Sequence, residues 1–319
     1  MPSKSTFRAD FLLLLAAVIW GFAFVAQRMG MEHIGPFMFN AIRFALGAGV
    51  IVLVIKSREA WGRGGRETGR QGDGETGRRG DKELLSTVNR QLLAVYGTLL
   101  GLILFAGATF QQVGIVYTTA GNAGFITGLY VIVVPVLGIF TGQKAGNNLW
   151  GGAVIASVGL YFLSVTEQFT ILKGDLLVLI GAIFWAVHVL YTGWLSPRTS
   201  ALKLAVVQYF VCAVLSLISS LIFENNSLSG IYEAAVPLLY GGIFSVGIAF
   251  TLQIVGQKKA PPAHAAIILS LEAVFAVMGG VLILSETMND RKWLGCGLML
   301  AGMLLAQVGG RRSAVGSRQ

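Results

Sequence analysis

DLLVLIGAIFWAVHVLYTGW, residues 175–194, repeats a pattern already laid down by DFLLLLAAVIWGFAFVAQRM, residues 10–29. With no gap between the two, Asp175 falls on Asp10, Leu177 on Leu12, Leu179 on Leu14, Ala182 on Ala17 and Trp185 on Trp20. The same offset of 165 residues carries into the next apolar run, placing Gln208 on Arg43 and Tyr209 on Phe44. One fold is written out twice in this chain.

Composition says what solvent the two copies meet. With 55% hydrophobic and 12% charged residues over 319 positions, and a mean hydropathy of +0.71, there is too little polar surface to clothe a water-soluble globule. Lipid is the expected solvent, and runs of roughly 20 apolar residues have the length an α-helix needs to cross about 30 Å of hydrocarbon. Ten runs qualify: 11–27, 36–55, 92–116, 123–141, 149–165, 174–194, 202–223, 235–255, 262–284 and 293–308. Porin-like strands would alternate apolar and polar residues, and these runs do not. The expected fold is an all-α polytopic membrane protein of ten transmembrane helices. The 42 glycines suit close helix packing, as at Gly97 and Gly101 or Gly124 and Gly128.

The first run has Lys4 and Arg8 ahead of it, like a cleavable leader, but its copy at 174–194 lies mid-chain, so it is read as a span. Cys212 and Cys296 lie inside apolar runs without metal-ligand spacing and read as packing residues.

Lys and Arg fall unevenly between the two ends of the spans. Lys4, Arg8, the stretch 56–90, Lys144, Arg198, Lys203, Lys258, Lys259, Arg311, Arg312 and Arg318 share one side, against Arg28, Lys173, Arg291 and Lys292 on the other. The positive-inside rule then predicts both termini in the cytoplasm of a multi-pass protein of the inner (plasma) membrane. The net charge of +9 reads as an orientation signal, not as a nucleic-acid partner. Five spans per copy is an odd number, so the second copy enters the bilayer from the opposite face. Inverted repeats of this kind are a mark of secondary transporters, whose halves rock about a site near the midplane. The halves are expected at 1–168 and 169–319.

Between the second and third spans the text changes character. ETGRQGD at 67–73 is nearly repeated as ETGRRGD at 75–81. Mixed-sign, glycine-rich sequence buries too little apolar area to offset ordering entropy, which predicts a disordered cytoplasmic loop over 57–90. Acidic residues nearly balance the basic ones there, which argues against RNA binding.

YTTAGNAGFITGLY at 117–130, followed by Val134-Pro135, resembles the first repeat of the EamA family in the drug/metabolite transporter superfamily. LSLEAVF at 269–275, with Leu284-Ser285-Glu286 and the run 295–304, is similar to that family's second repeat. The resemblance covers nearly the whole chain outside the charged loop. It implies ten helices in inverted repeats and export or exchange of small metabolites, amino acids or drugs through a central cavity. Two departures stand out. Ala273 replaces the proline usual after the glutamate, which removes a source of helix kinking, and Gln143-Lys144 stands where the first repeat often has glutamate.

Polar residues inside the spans are the candidate site. Glu272 lies about ten residues into its run, hence ~15 Å deep, where an ionised carboxylate is costly. It can carry a proton, contact a cationic substrate, or serve as a buried structural carboxyl. Arg43 can clamp a substrate carboxylate through its fork of donors, or bind helix-end carbonyls and snorkel. Trp20 and Trp185 lie below the depth of interfacial anchors and either line a shared cavity or pack. His188, one turn beyond Trp185, is a second proton candidate or a hydrogen-bonded packing residue. Gln111, Gln112, Asn122, Tyr130 and Gln253 must find partners away from bulk water, at a cavity or between helices. His264, after Pro261 and Pro262, reads as a capping or interfacial residue.

Other chemistry has no motif. No Walker loop supports ATP-driven transport, no His-Glu-x-x-His occurs, and His33, His188 and His264 lack metal spacing. No catalytic residue, metal or cofactor is expected. The expected activity is secondary transport of a small-molecule substrate across a lipid bilayer, by a monomer or homodimer. The competing class is a membrane-embedded enzyme acting on a lipid or isoprenoid.

Overall fold

Hydrocarbon offers backbone N–H and C=O groups no partner, so a chain of this composition must satisfy them within helices. The computed structural model describes residues 4–64, 77–140, 147–164, 171–260 and 262–308, and among these there is no β-strand. The first half runs α1 (Lys4–Gly30), α2 (Pro36–Gly64), α3 (Gly77–Val116), α4 (Ala120–Gly128), α5 (Tyr130–Ile139) and α6 (Asn147–Ser164). The second runs α7 (Lys173–Leu195), α8 (Ala201–Phe223), α9 (Leu228–Glu233), α10 (Ala235–Leu239), a π-helical segment (Tyr240–Phe250), α11 (Thr251–Gln257), α12 (Pro262–Leu269), α13 (Glu272–Leu284) and α14 (Asp290–Val308).

Among the described residues, eight helical stretches are long and apolar enough to cross a membrane. They correspond to every predicted run except the fifth and tenth. The fifth gives a shorter apolar helix, Trp150–Leu163, and the tenth is α14, whose first turn carries Asp290, Arg291 and Lys292. The outward faces of the bundle are apolar: Leu53, Phe210, Leu221 and Leu282 are largely exposed, as a lipid-facing surface requires.

Two expectations are corrected. The segment predicted as a disordered loop, 57–90, is helical to Gly64 and again from Gly77, because Arg, Lys and Glu are good helix formers and extending an existing helix adds a hydrogen bond per residue. Residues 65–76, like Gln143-Lys144, lie outside the described residues. The ninth run, expected to lose its kink at Ala273, is still broken just before it, between Leu269 and Glu272. There Leu271 N–H donates to Ile268 O, Ala273 N–H to Ser270 O and Val274 N–H to Leu271 O, and Ser270 Oγ donates to Ile267 O at 2.8 Å. A hydroxyl bonded back to the helix bends it without any proline. The fourth run breaks in the same way at Leu129, whose N–H bonds to Ile126 O while Ile132 N–H bonds to Leu129 O.

Helices of one half pack chiefly on helices of the other: α1 and α4 on α13, α2 on α8, α3 on α7 and α8. Glycines set these approaches. A Cβ on Gly101 would lie 2.7 Å from Val211 Cβ on α8, and one on Gly124 would lie 2.3 Å from Ala276 Cβ on α13. Carboxylates from the second half also cap helix starts in the first. Glu224 accepts from Phe37 N–H (2.7 Å) and Met38 N–H (2.9 Å), and Glu286 accepts from Ala120 N–H (2.6 Å) and Gly121 N–H (3.0 Å). Each satisfies orphan donors and meets the positive end of a helix dipole.

Candidate functional site

The two broken helices face each other, α4 on α13 and α5 on α12, so their breaks meet in the middle of the bundle. Tyr130 is the first residue of α5 and Glu272 the first of α13. Both are buried, at 3% and 4% exposure. The Tyr130 hydroxyl lies within interacting distance of the Glu272 carboxyl but makes no hydrogen bond of good geometry.

Around this junction lies a narrow cavity with about 470 Å³ of empty space, part of it open to the exterior. Of the predicted residues, Trp20, Arg43, Gln111, Tyr130, Trp185 and Glu272 line it, as does Gln253. The other lining residues are Phe24, Gln27, Thr127, Val189, Ser245 and Phe250. Buried polar atoms are normally paired, yet Gln27 Oε1, Arg43 Nε, Tyr130 Oη, Trp185 Nε1 and Gln253 Oε1 have no partner. These five line the cavity, while other unpaired polar atoms of the interior, such as Asn40 Oδ1 and Gln257 Oε1, lie away from it.

Asn122, Gln112 and His188 do not line this cavity. Asn122 Nδ2 donates to Asp175 Oδ2 at 3.4 Å, beside the hydrogen bond of Thr118 to the same carboxylate; the start of α4 holds it at the end of the bundle. Gln112 Nε2 donates to Gln27 O. His188 stands one layer behind the wall, with Nε2 2.8 Å from Gln208 Oε1 and its ring edge-on to Trp185 and Phe250. His264 pairs with Asp10 at 2.7 Å, closing the start of α12 onto α1.

The π-helical segment supplies the wall that sequence reading missed. Trp20 Nε1 donates to Ser245 O of this wider segment at 3.2 Å, and π-helical turns, rare in general, are frequent at functional sites. Phe250 is its aromatic hub, 4.6 Å from the Trp20 ring and 5.8 Å from that of Trp185. The only sequence signal for it is the run of small residues Gly241, Gly242 and Gly247.

Equivalent positions of the two copies line the cavity together. Trp20 and Trp185, like Phe24 and Val189, are 165 residues apart; Gln111 and Gln253, like Tyr130 and Glu272, are 142 apart. The offset shrinks because the first copy carries the additional charged stretch between its second and third runs. Arg43 breaks the correspondence: it lines the cavity, while Gln208 is turned to His188. The Arg43 guanidinium carbon lies 4.9 Å from the Phe44 ring centroid and 5.7 Å from that of Phe39, so aromatic faces hold the charge from behind.

The EamA-like transporter family matches residues 7–165 and 172–307. The chain belongs to this family. An "Uncharacterized transporter" of Archaeoglobus fulgidus is 29% identical over 94% of the chain and 86% of its own length. The "Uncharacterized inner membrane transporter YedA" of Escherichia coli is 26% identical over 92% and 88%. A "Probable amino-acid metabolite efflux pump" of Salmonella typhimurium is 23% identical over 94% and 95%. A solved crystal structure, 18% identical, shares the fold with a TM-score of 0.65, covering 95% of this chain and 98% of that one. For this EamA-family chain the cavity is the candidate transport site, and among the described residues no group of three or more His, Cys, Asp or Glu is placed to hold a metal.

Proposed function

We propose that this EamA-family protein carries small organic solutes across the cytoplasmic membrane by alternating access. Two inverted five-helix halves, 1–168 and 169–319, rock about the shared cavity, with ten crossings and both termini in the cytoplasm. One observation supports this reading above the rest: symmetry-equivalent residues of both copies line a single cavity at the point where two helices break. Discontinuous helices at mid-membrane are tolerated where they line a cavity, and they are where secondary carriers bind their cargo. The narrowness of the cavity suits a conformation between inward and outward opening. The direction is outward, in keeping with the efflux name of the Salmonella relative. Glu272 is the proton carrier if transport is proton-coupled; His188, behind Trp185, positions Gln208 instead.

Counterflow tests the reading. Purified protein in vesicles, loaded with a mixture of small metabolites, exchanges at least one of them with its labelled external copy, whereas empty vesicles do not. Vesicles with protein that exchange nothing overturn it.

A further inference from the structure

Two side-chain contacts outside the cavity join the halves at opposite ends of the bundle. His264 Nε2, at the start of α12, lies 2.7 Å from Asp10 Oδ1 on α1. Asn122 Nδ2, at the start of α4, donates to Asp175 Oδ2 on α7 at 3.4 Å. Asp10 and Asp175 are 165 residues apart, the offset that pairs Trp20 with Trp185, and Asn122 and His264 are 142 apart, the offset that pairs Tyr130 with Glu272. The same contact is therefore written twice, each time between a helix of one copy and the broken span of the other. The length of α7 separates the two. Asp175 is in its first turn, and near its end a Cβ on Gly193 would lie 2.5 Å from Pro262 Cγ, two residues before His264. The helix between Asp175 and Gly193 spans ~27 Å, and Trp185, on the cavity wall, lies near its middle.

We infer that Asp10–His264 and Asp175–Asn122 are the two gates of the carrier, the first closing the cavity toward the cytoplasm and the second toward the outside. With both ties made the cavity is narrow. Opening on one side parts α12 from α1, or α4 from α7, while the tie at the other end is kept. A bond present in one state and absent from the other biases the two populations by its own net strength. The ends are not tied equally. At the outer one, Asp175 also accepts from the Thr118 hydroxyl, Glu286 accepts from Ala120 and Gly121 N–H, and Asp175 and Asn122 are 0% and 3% exposed. At the inner one, the counterpart of Glu286 is Lys144 and that of Ala120 is Pro262, which has no N–H to offer. The side chains of Asp10 and His264 are 34% and 26% exposed. The cytoplasmic gate is the lighter of the two. The gates rest on the carrier reading and add to it which residues close each face.

The test uses the full chain with Cys212→Ser, Cys296→Ser and Ser245→Cys, which leaves one thiol on the cavity wall. In oriented vesicles a membrane-impermeant thiol reagent is added to one face or the other, and the ratio of the cytoplasmic-face rate to the outer-face rate is read. Asp10→Ala raises this ratio about three- to tenfold, the scale of one hydrogen bond, and Asp175→Ala lowers it by as much or more. Exchanging the partners, Asp10→His with His264→Asp, returns the ratio toward its starting value, which a role in folding alone does not explain. If Asp175→Ala does not fold, Asn122→Ala, which leaves the carboxylate its Thr118 bond, gives a shift of the same sign. Ratios that do not move, or that move in one direction for both ends, overturn the gates and leave the carrier standing. A thiol reached from one face alone in every variant, or from neither, removes the carrier reading and the gates with it.

Discussion

Tyr130 and Glu272 are equivalent residues of the two copies, and each is the first residue of the half-helix beyond a break in its span. The two breaks therefore deliver a phenol and a carboxyl to the same point from opposite halves. Neither helix is broken at a proline. Tightened i to i+3 bonding at Leu129, and the same bonding with the Ser270 back-bond in the second copy, does the work.

If Glu272 carries the coupled proton, Glu272→Gln abolishes uptake driven by a pH gradient in reconstituted vesicles while solute counterflow without a gradient persists. An amide is isosteric but cannot take up or release a proton at these pH values. Unchanged gradient-driven uptake in the variant removes Glu272 from that role.

His188 provides the contrast. Its Nε2 is occupied by Gln208 at 2.8 Å and its ring is packed behind Trp185, so His188→Gln leaves the pH profile of transport unchanged while costing about 1–3 kcal/mol in stability for the buried hydrogen bond. A shifted pH profile, measured in the same vesicle assay, contradicts this placement.

Helix approach is set by missing side chains, and this is measurable in melts of detergent-solubilised protein. Gly114→Ala puts a Cβ 2.6 Å from Val178 Cγ2 and 2.8 Å from Gly174 O, whereas at Gly49 nothing lies within 4 Å. Gly114→Ala is expected to destabilise by about 1–3 kcal/mol through overpacking. Gly49→Ala is expected to be neutral or slightly stabilising. Equal effects would mean that α3 and α7 do not meet at this glycine.

Glu286→Ala strips both acceptors from the start of α4, and Glu224→Ala strips those from the start of α2. Each is expected to cost about 1–2 kcal/mol, seen as a lower melting temperature. Because each tie joins one half to the other, both variants also raise the rate at which a thiol reagent reaches a cysteine placed at Thr127. Unchanged reactivity would limit the two carboxylates to local capping.

The broad plan was legible because lipid imposes it: apolar run length gives the helices, and the offset of 165 gives the duplication. Trp20, Trp185, Tyr130 and Glu272 stand out in the sequence because a polar or large aromatic residue at mid-span is conspicuous against its neighbours, and all four line the cavity. Asn122 and His188 are equally conspicuous, but which face of a helix meets the cavity depends on packing that no single run encodes. Asn122 turns to Asp175, and His188 turns to Gln208. Phe250 was missed for the opposite reason, being one apolar residue among many until the π-helical segment rotates it toward Trp20. The charged stretch was misjudged at both ends because composition weighs burial, while a helix already started can run on past the membrane on propensity alone.

Two-sided accessibility of one cavity position tests the central claim most directly. Ser245→Cys, in a background with Cys212→Ser and Cys296→Ser, places a lone thiol on the cavity wall. A membrane-impermeant thiol reagent should modify it when added to either face of oriented vesicles, at rates that a transported solute changes. Modification from one face only, or from neither, contradicts a cavity that opens alternately to both sides.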